Sequence, residues 1–404
     1  MSSTGGAWPI IFLAGDFPPD VGGIQRYAYE LVRAVAAHGR RTVVIAPWRD
    51  GAEAVDAALG CPVRRVPGRS KIALAASMAR ALRAQLRSGG GAAVVATKWM
   101  PEGPACLLSR AATHVPMILL GYGREFMPDA ARPLRAFVQR RVLRAARLCL
   151  AVSSYTARNF LEAGVPEGRV RVIFGGVDAS RFAAPEAVAG GRRLRAALGV
   201  GDDPLLLTVA RLVRRKGHDL VLDAMALLRA EGVDVRYAIV GDGPELGPLR
   251  AKAAALALDR KVIFAGAVAD DELPHWYAGC DIFVMPSRDL AGEPPEGFGL
   301  VYLEANAAGK PVVGARTGGV VDAIADNCSG LLVPPEDPVA LAAALRRLLS
   351  DRGLAARLGE QGRARVLGHF TWRRVAERFL AAMEEAAAPR HPGPFPSPGA
   401  RRFG

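Results

Sequence analysis

The sequence predicts an α/β protein built from two doubly wound parallel sheets, and three observations predict it. The chain has 404 residues, more than one ordinary domain holds. Short apolar, β-rich runs alternate with helical periodicities in two successive series, the pattern of parallel sheets covered on both faces. Between the series lies a polar Gly/Ala/Arg-rich segment, residues 184–201, read as the interdomain region. Hydrophobic residues make up 50% of the chain and charged ones 23%, enough apolar material for two cores.

The first series fills the expected domain 1–185. A strand at 10–14 and a turn at 16–20 lead to Gly22 and Gly23, which open a helix running to about residue 38. Without Cβ atoms these glycines let a ligand approach the backbone at a helix N-terminus. Strands follow at 41–47 and 63–66, then a helix at 70–87 with Arg80, Arg83 and Arg87 on its polar surface. Strands at 93–97 and 117–120 put Lys98 and the run Tyr122-Gly123-Arg124-Glu125 at strand C-terminal ends, where open α/β sheets bind ligands. A second basic helix, 133–148, carries Arg135, Arg140, Arg141, Arg144 and Arg147. The strand 149–152 ends at Ser153-Ser154, which caps the next helix. A strand at 170–173 then reaches Gly175-Gly176-Val177-Asp178.

The second series fills 186–371. A strand at 204–210 ends at Arg211, and Lys216 stands in the next loop or first helical turn. Both cations can meet one anion there. His218 beside them reads as a packing residue. Further strands are expected at 235–240, 262–265, 282–285, 312–314 and 330–333. Gly241-Asp242-Gly243 lacks the third glycine of a dinucleotide fingerprint, so NAD binding is rejected.

The most informative run is Glu296-Gly-Phe-Gly-Leu-Val-Tyr-Leu-Glu304. On one continuous helix the two carboxylates would stand about 12 Å apart along the axis. That is too far for the close pair that flanks one glycosidic bond in a retaining hydrolase. It suits two hydroxylated rings with a diphosphate between them. The free N–H groups of Gly299, Leu300 and Val301, at a helix start, would face that diphosphate.

This run, continued by Ala-Asn-Ala-Ala-Gly-Lys-Pro-Val, resembles the E-x7-E signature of the retaining glycosyltransferases of family 4 (group 1), phosphatidylinositol mannosyltransferases among them. The resemblance spans roughly residues 10–388. It implies the GT-B fold, with two Rossmann-like domains facing across a cleft and a C-terminal helix, 372–388, crossing back to the first domain. It implies that Arg211 and Lys216 neutralise the donor diphosphate, that Glu296 holds the donor sugar and that Glu304 holds the ribose. Gly22 and Gly23 would border the phosphates, Gly243 and Val268 the nucleotide, and Phe298 the phosphate loop. Tyr122, Lys98 and Arg124 would contact sugar or acceptor; Tyr122 stands where many members carry a His. Gly175 stands where the usual motif has Asn, and reads as a turn residue.

Cofactors are not expected beyond the nucleotide-sugar co-substrate. No D-x-D run and no cluster with metal-ligand spacing occurs in the sequence, so no metal is implied. The five cysteines are scattered and odd in number, which fits a reducing compartment. The start of the chain reads as a strand and not as a signal peptide, and no run is long and apolar enough to span a bilayer. A cytoplasmic location is expected, peripheral at the inner face of the membrane. The net charge of +14 is concentrated in residues 1–185, which carry 25 Lys and Arg against 12 Asp and Glu. Helices 70–87 and 133–148 therefore fit an anionic membrane and a lipid-linked or glycan acceptor. Nucleic acid is not expected, because no aromatic residues interleave with the charge. A nucleotide-sugar epimerase, or a non-catalytic nucleotide- or glycan-binding protein, is the alternative on the same fold. The tail 389–404 is Pro/Arg/Gly-rich and is expected to be disordered.

Overall fold

A computed structural model of the chain describes residues 9–89, 93–110, 115–123, 125–126 and 132–387. Arg124 and the tail 389–404 lie outside the described residues. Seven strands form the first sheet: β1 (Ile10–Leu13), β2 (Thr42–Pro47), β3 (Val63–Val66), β4 (Ala93–Ala96), β5 (Met117–Gly121), β6 (Leu148–Ala151) and β7 (Val170–Val172). Their order is β3-β2-β1-β4-β5-β6-β7, and all pairs are parallel. Six strands form the second: β8 (Leu205–Val209), β9 (Arg236–Val240), β10 (Val262–Gly266), β11 (Ile282–Met285), β12 (Val312–Ala315) and β13 (Gly330–Val333). They run β10-β9-β8-β11-β12-β13, again parallel. Most central strands are buried on both faces, which explains their unbroken Val, Ile, Leu and Ala runs. Strand order reverses between β1 and β4, and between β8 and β11. Crevices open at such points, outside the strand C-termini.

Helices cover both faces of the first sheet. Helices Lys71–Gly89, Glu102–Arg110 and Pro133–Ala145 lie side by side on one face, burying Leu74, Met78, Leu82, Cys106, Val142 and Leu143. Helix Gly23–Ala37 covers the other face with the terminal helix Trp372–Ala387. The crossing-back expected of the C-terminal helix is therefore present. Phe379 stacks on Phe12 of β1 with ring centroids 5.7 Å apart, and Glu384 and Glu385 pair with Arg40 and Arg171.

Three boundaries differ from expectation. The basic helix 133–148 ends at Ala145, because Leu148 already pairs in β6 and the Arg147 N–H bonds the Met117 carbonyl at 2.7 Å. Segment 184–201 is no open linker. It contains helix Pro185–Ala197, whose Gly190 and Gly191 allow close packing on His275 and Gly279 of helix Leu273–Gly279. Helix Ala179–Ala183 also packs with the second domain, Phe182 meeting Tyr277 edge-on at 5.3 Å. By packing, the crossing between domains falls before residue 179, a few residues ahead of the expected 185.

Candidate active site

The two crevices face each other, and the domains touch around them. Gly297 of the second domain lies so near the Tyr122 carbonyl of the first that a Cβ on it would come within 2.1 Å. Asp322 accepts hydrogen bonds from the Ser154 N–H and hydroxyl at 2.8 Å each. Behind these contacts Phe298 stacks on Phe174 with centroids 5.5 Å apart and leans on Phe370.

On the second-domain side, β8 runs out into Arg211, and residues Arg214–Lys216 form a 3-10 turn. Gly217 ends that turn at φ 74°, beside the Pro286 carbonyl, where a Cβ would come within 2.2 Å. Arg288 fixes the turn by gripping Asp219 through both Nη atoms at 2.7 and 2.8 Å. Lys216 is thereby aimed at Glu296, to which it donates a hydrogen bond, with Arg215 at 3.7 Å. Burial alone would raise the Glu296 carboxyl. The charges of Lys216 and Arg215 and the Gly297 N–H outweigh it and hold Glu296 below its ordinary value. Arg211 is exposed and makes no side-chain hydrogen bond or ion pair among the described residues.

Helix Leu300–Ala307 starts at Gly299, held at φ 92° with Tyr302 packed against it. The Leu300 and Val301 N–H groups, within one turn before Glu304, make no backbone hydrogen bond among the described residues. The Glu304 carboxylate is almost fully buried. It accepts from the Tyr277 hydroxyl at 2.7 Å and lies 3.7 Å from Nη1 of Arg26 in the first domain. The Phe298 ring is committed to the aromatic stack. Gly243 packs on the Leu212 carbonyl, where a Cβ would come within 2.4 Å, and shapes the loop below Arg211. Val268 is half-buried beyond the end of β10.

On the first-domain side, a Cβ at Gly23 would meet nothing within 4 Å, which leaves open space before helix Gly23–Ala37. A Cβ at Gly22 would meet only the Gln25 side chain. Lys98 pairs with Asp16 at the end of β1. Glu102 lies below them, fully buried, accepting from the Gly15 N–H at 2.7 Å and the Thr97 hydroxyl at 3.1 Å. Burial pushes its carboxyl up to about 7 against these bonds and Lys98. The Tyr122 hydroxyl is buried without a hydrogen-bond partner among the described residues. His218 is buried between the Tyr237 hydroxyl and the Arg211 carbonyl, at 3.3 and 3.4 Å. Burial lowers it to about 4, so it packs as a neutral ring.

Sequence reading missed Arg26, Arg215, Tyr277, Asp270 and Glu102. Arg26, on the first turn after Gly23, was the one with a visible cue, but its partner Asp270 is 244 residues away. Gly175 was read as a turn residue. The structure gives a different reason for it: a Cβ there would come within 2.5 Å of the Leu300 side chain, so the space an Asn would need is filled.

Two facing Rossmann-like domains and a terminal helix crossing back to the first define the GT-B architecture. The model of the glycosyl transferases group 1 matches residues 192–365, and that of glycosyltransferase family 4 matches 21–181. A GDP-mannose-dependent alpha-(1-6)-phosphatidylinositol monomannoside mannosyltransferase of Mycolicibacterium smegmatis is 34% identical, over 93% of this chain and 99% of the relative. A D-inositol 3-phosphate glycosyltransferase of Geodermatophilus obscurus is 32% identical, over 91% and 86%. The chain belongs to glycosyltransferase family 4. In fold it is similar to a glycosyltransferase from Rickettsia africae, with a TM-score of 0.79 at 20% identity over 94% of this chain and 99% of that one. It is similar also to Anabaena HepE in complex with UDP and glucose, with a TM-score of 0.76 at 21% identity over 94% and 100%.

Proposed function

We propose that the protein is a metal-independent retaining hexosyltransferase. It moves a hexose from a nucleotide-sugar, GDP-mannose or a UDP-hexose, to a lipid-linked or polysaccharide acceptor of the cell envelope. The observation that carries this reading is Lys216 hydrogen-bonded to Glu296 on the turn that follows Arg211, while Arg211 is exposed and makes no side-chain hydrogen bond or ion pair among the described residues, and helix Leu300–Ala307 starts four residues after Glu296. Cations and a helix end together match a leaving diphosphate.

In the reaction, the bond from the anomeric carbon to the phosphate oxygen breaks, and its electron pair leaves on the phosphate. Arg211 and Lys216 stabilise that charge. The acceptor hydroxyl attacks from the same face and passes its proton to the departing phosphate, as the family's retention of configuration implies. No protein nucleophile is required, and no cofactor besides the co-substrate. Glu296 orients the sugar hydroxyls and Glu304 the ribose. Positioning and preorganised charge supply the acceleration. The GDP-mannose-dependent relatives favour GDP-mannose among the donors.

The surface of the two basic helices supports a lipid-linked acceptor. Ile72, Leu134 and Phe137 are exposed near the starts of the two basic helices, the ends that adjoin the cleft. Arg80, Arg87, Arg140, Arg141 and Arg144 are exposed further along the same helices. Apolar groups flanked by arginines suit an anionic bilayer surface.

The test is nucleotide release from a panel of GDP- and UDP-sugars with membrane extract as acceptor, for wild type and Arg211→Ala. One donor turned over by wild type, with the α-configured product seen by NMR and at least a hundredfold loss in the variant, is the expected result. No turnover of any donor, or an inverted product, overturns it.

A further inference from the structure

Arg26 stands on the first turn of helix Gly23–Ala37 in the first domain, yet both of its ion-pair partners belong to the second. Its Nη1 donates to Asp270 Oδ1 at 2.9 Å and lies 3.7 Å from Glu304 Oε1. The second contact is an ion pair too long for a hydrogen bond. Glu304 Oε1 can therefore still accept from a ligand hydroxyl, while Oε2 is taken by Tyr277. The Nε and Nη2 groups of Arg26 have no hydrogen-bond partner among the described residues, and the side chain is 32% exposed. Asp270 lies two residues beyond Val268 and is held from its other side by Arg181 Nη1 at 2.6 Å.

We propose that Arg26 is a donor-binding residue contributed by the first domain, its free N–H groups binding the ribose–phosphate end of a nucleoside diphosphate held from the other side by Glu304. The inference rests on reading Glu304 as the ribose carboxylate. A guanidinium carries a fork of donors that suits phosphate oxygens. The helix start at Gly23, one turn away, favours the same charge. Asp270 and Glu304 hold Arg26 in place and keep the domains together. With donor bound, Arg26 spans ligand and both acids. Asp270 is the anchor and Arg26 the ligand contact.

Binding of GDP and UDP to the full chain is measured by calorimetry, alongside small-angle scattering without nucleotide. Arg26→Ala is expected to weaken whichever nucleotide wild type binds by about tenfold or more, the loss of one charge-assisted contact, and to enlarge the radius of gyration. Arg26→Lys keeps the charge without the fork and should lose several-fold. Asp270→Asn should enlarge the protein yet keep its affinity within about threefold, because Arg26 remains free to reach the phosphate. Wild-type affinity in Arg26→Ala overturns the inference. Glu304→Ala separates it from the reading beneath: loss there with none in Arg26→Ala sinks this inference alone, and no nucleotide bound by wild type sinks both.

Discussion

Lys216 donates a hydrogen bond to Glu296, so the cation assigned to the diphosphate and the acid assigned to the sugar are bonded to each other. The pair is preformed on a rigid turn and costs no ordering when the donor binds. Removing Lys216 leaves a buried carboxylate with Arg215, at 3.7 Å, as its remaining ion-pair partner among the described residues. Glu296 titrates below its ordinary value, so its stabilising contribution is present above the unfolded carboxylate range and lost as pH falls through the lowered value. Lys216→Ala should move the acidic limb of kcat/KM to higher pH and reduce stability near neutrality by about 3 kcal/mol. A pH–rate profile and denaturant melts at pH 7 check both. An unmoved acidic limb would remove Glu296 from the titrating machinery.

Glu102 behaves in the opposite sense. Its folded value near 7 lies above the carboxylate range, so the native state binds a proton that the unfolded chain has released. Stability must therefore fall as pH rises from about 4.5 to about 7, by roughly 3 kcal/mol in total for this group. Glu102→Gln keeps an acceptor for the Gly15 N–H and the Thr97 hydroxyl while deleting the titration. Its stability should exceed that of wild type above pH 7 and converge with it near pH 5. Parallel curves for the two proteins would show that Glu102 does not titrate in this window.

Gly175 is set by what faces it. Leu300 occupies the space a side chain would need, and Tyr27 and Phe298 stand at 3.4 and 3.5 Å from the same point. Gly175→Asn, which restores the family's usual residue, should cost about 2 kcal/mol through forced repacking. Gly175→Asn with Leu300→Ala should recover part of that loss, a coupling that a double-mutant cycle reads directly. Additive losses would place the strain elsewhere.

The strands were legible because each is short, apolar and bounded by turn residues, a signal carried by neighbours in sequence. The loop-to-helix turn between Glu296 and Glu304 was legible for the same reason, as was the place of Arg211 just past a strand end. What stayed hidden depends on residues far apart meeting in space. Asp270, Tyr277 and Glu102 lie in unremarkable local contexts and gain meaning from Arg26, Glu304 and Gly15. Helix Pro185–Ala197 within segment 184–201 stayed hidden for a related reason: its Gly190 and Gly191 pack closely on a helix distant in sequence. Gly243 and Phe298 were assigned to the ligand by motif, whereas the side-chain space at both is taken by protein.

The basic face makes its own prediction. Helix Pro133–Ala145 buries Ala136, Gln139, Val142 and Leu143 and leaves Leu134, Phe137, Arg140, Arg141 and Arg144 exposed. Each cation near an anionic leaflet is worth about 1 kcal/mol. Replacing Arg140 and Arg144 together by Gln should weaken binding to phosphatidylserine-containing vesicles by about 2 kcal/mol, or roughly thirtyfold. High salt should reproduce most of that loss in wild type, because exposed charges are screened within a Debye length. Leu134→Ser with Phe137→Ser should instead reduce the salt-resistant part, since those side chains contribute apolar area. None of the four substitutions touches Arg211, Lys216 or Glu296, so turnover of a water-soluble acceptor analogue should hold while turnover of a vesicle-borne acceptor falls. Equal vesicle sedimentation of wild type and both double variants would refute a membrane role for this face and turn attention to a soluble polysaccharide acceptor.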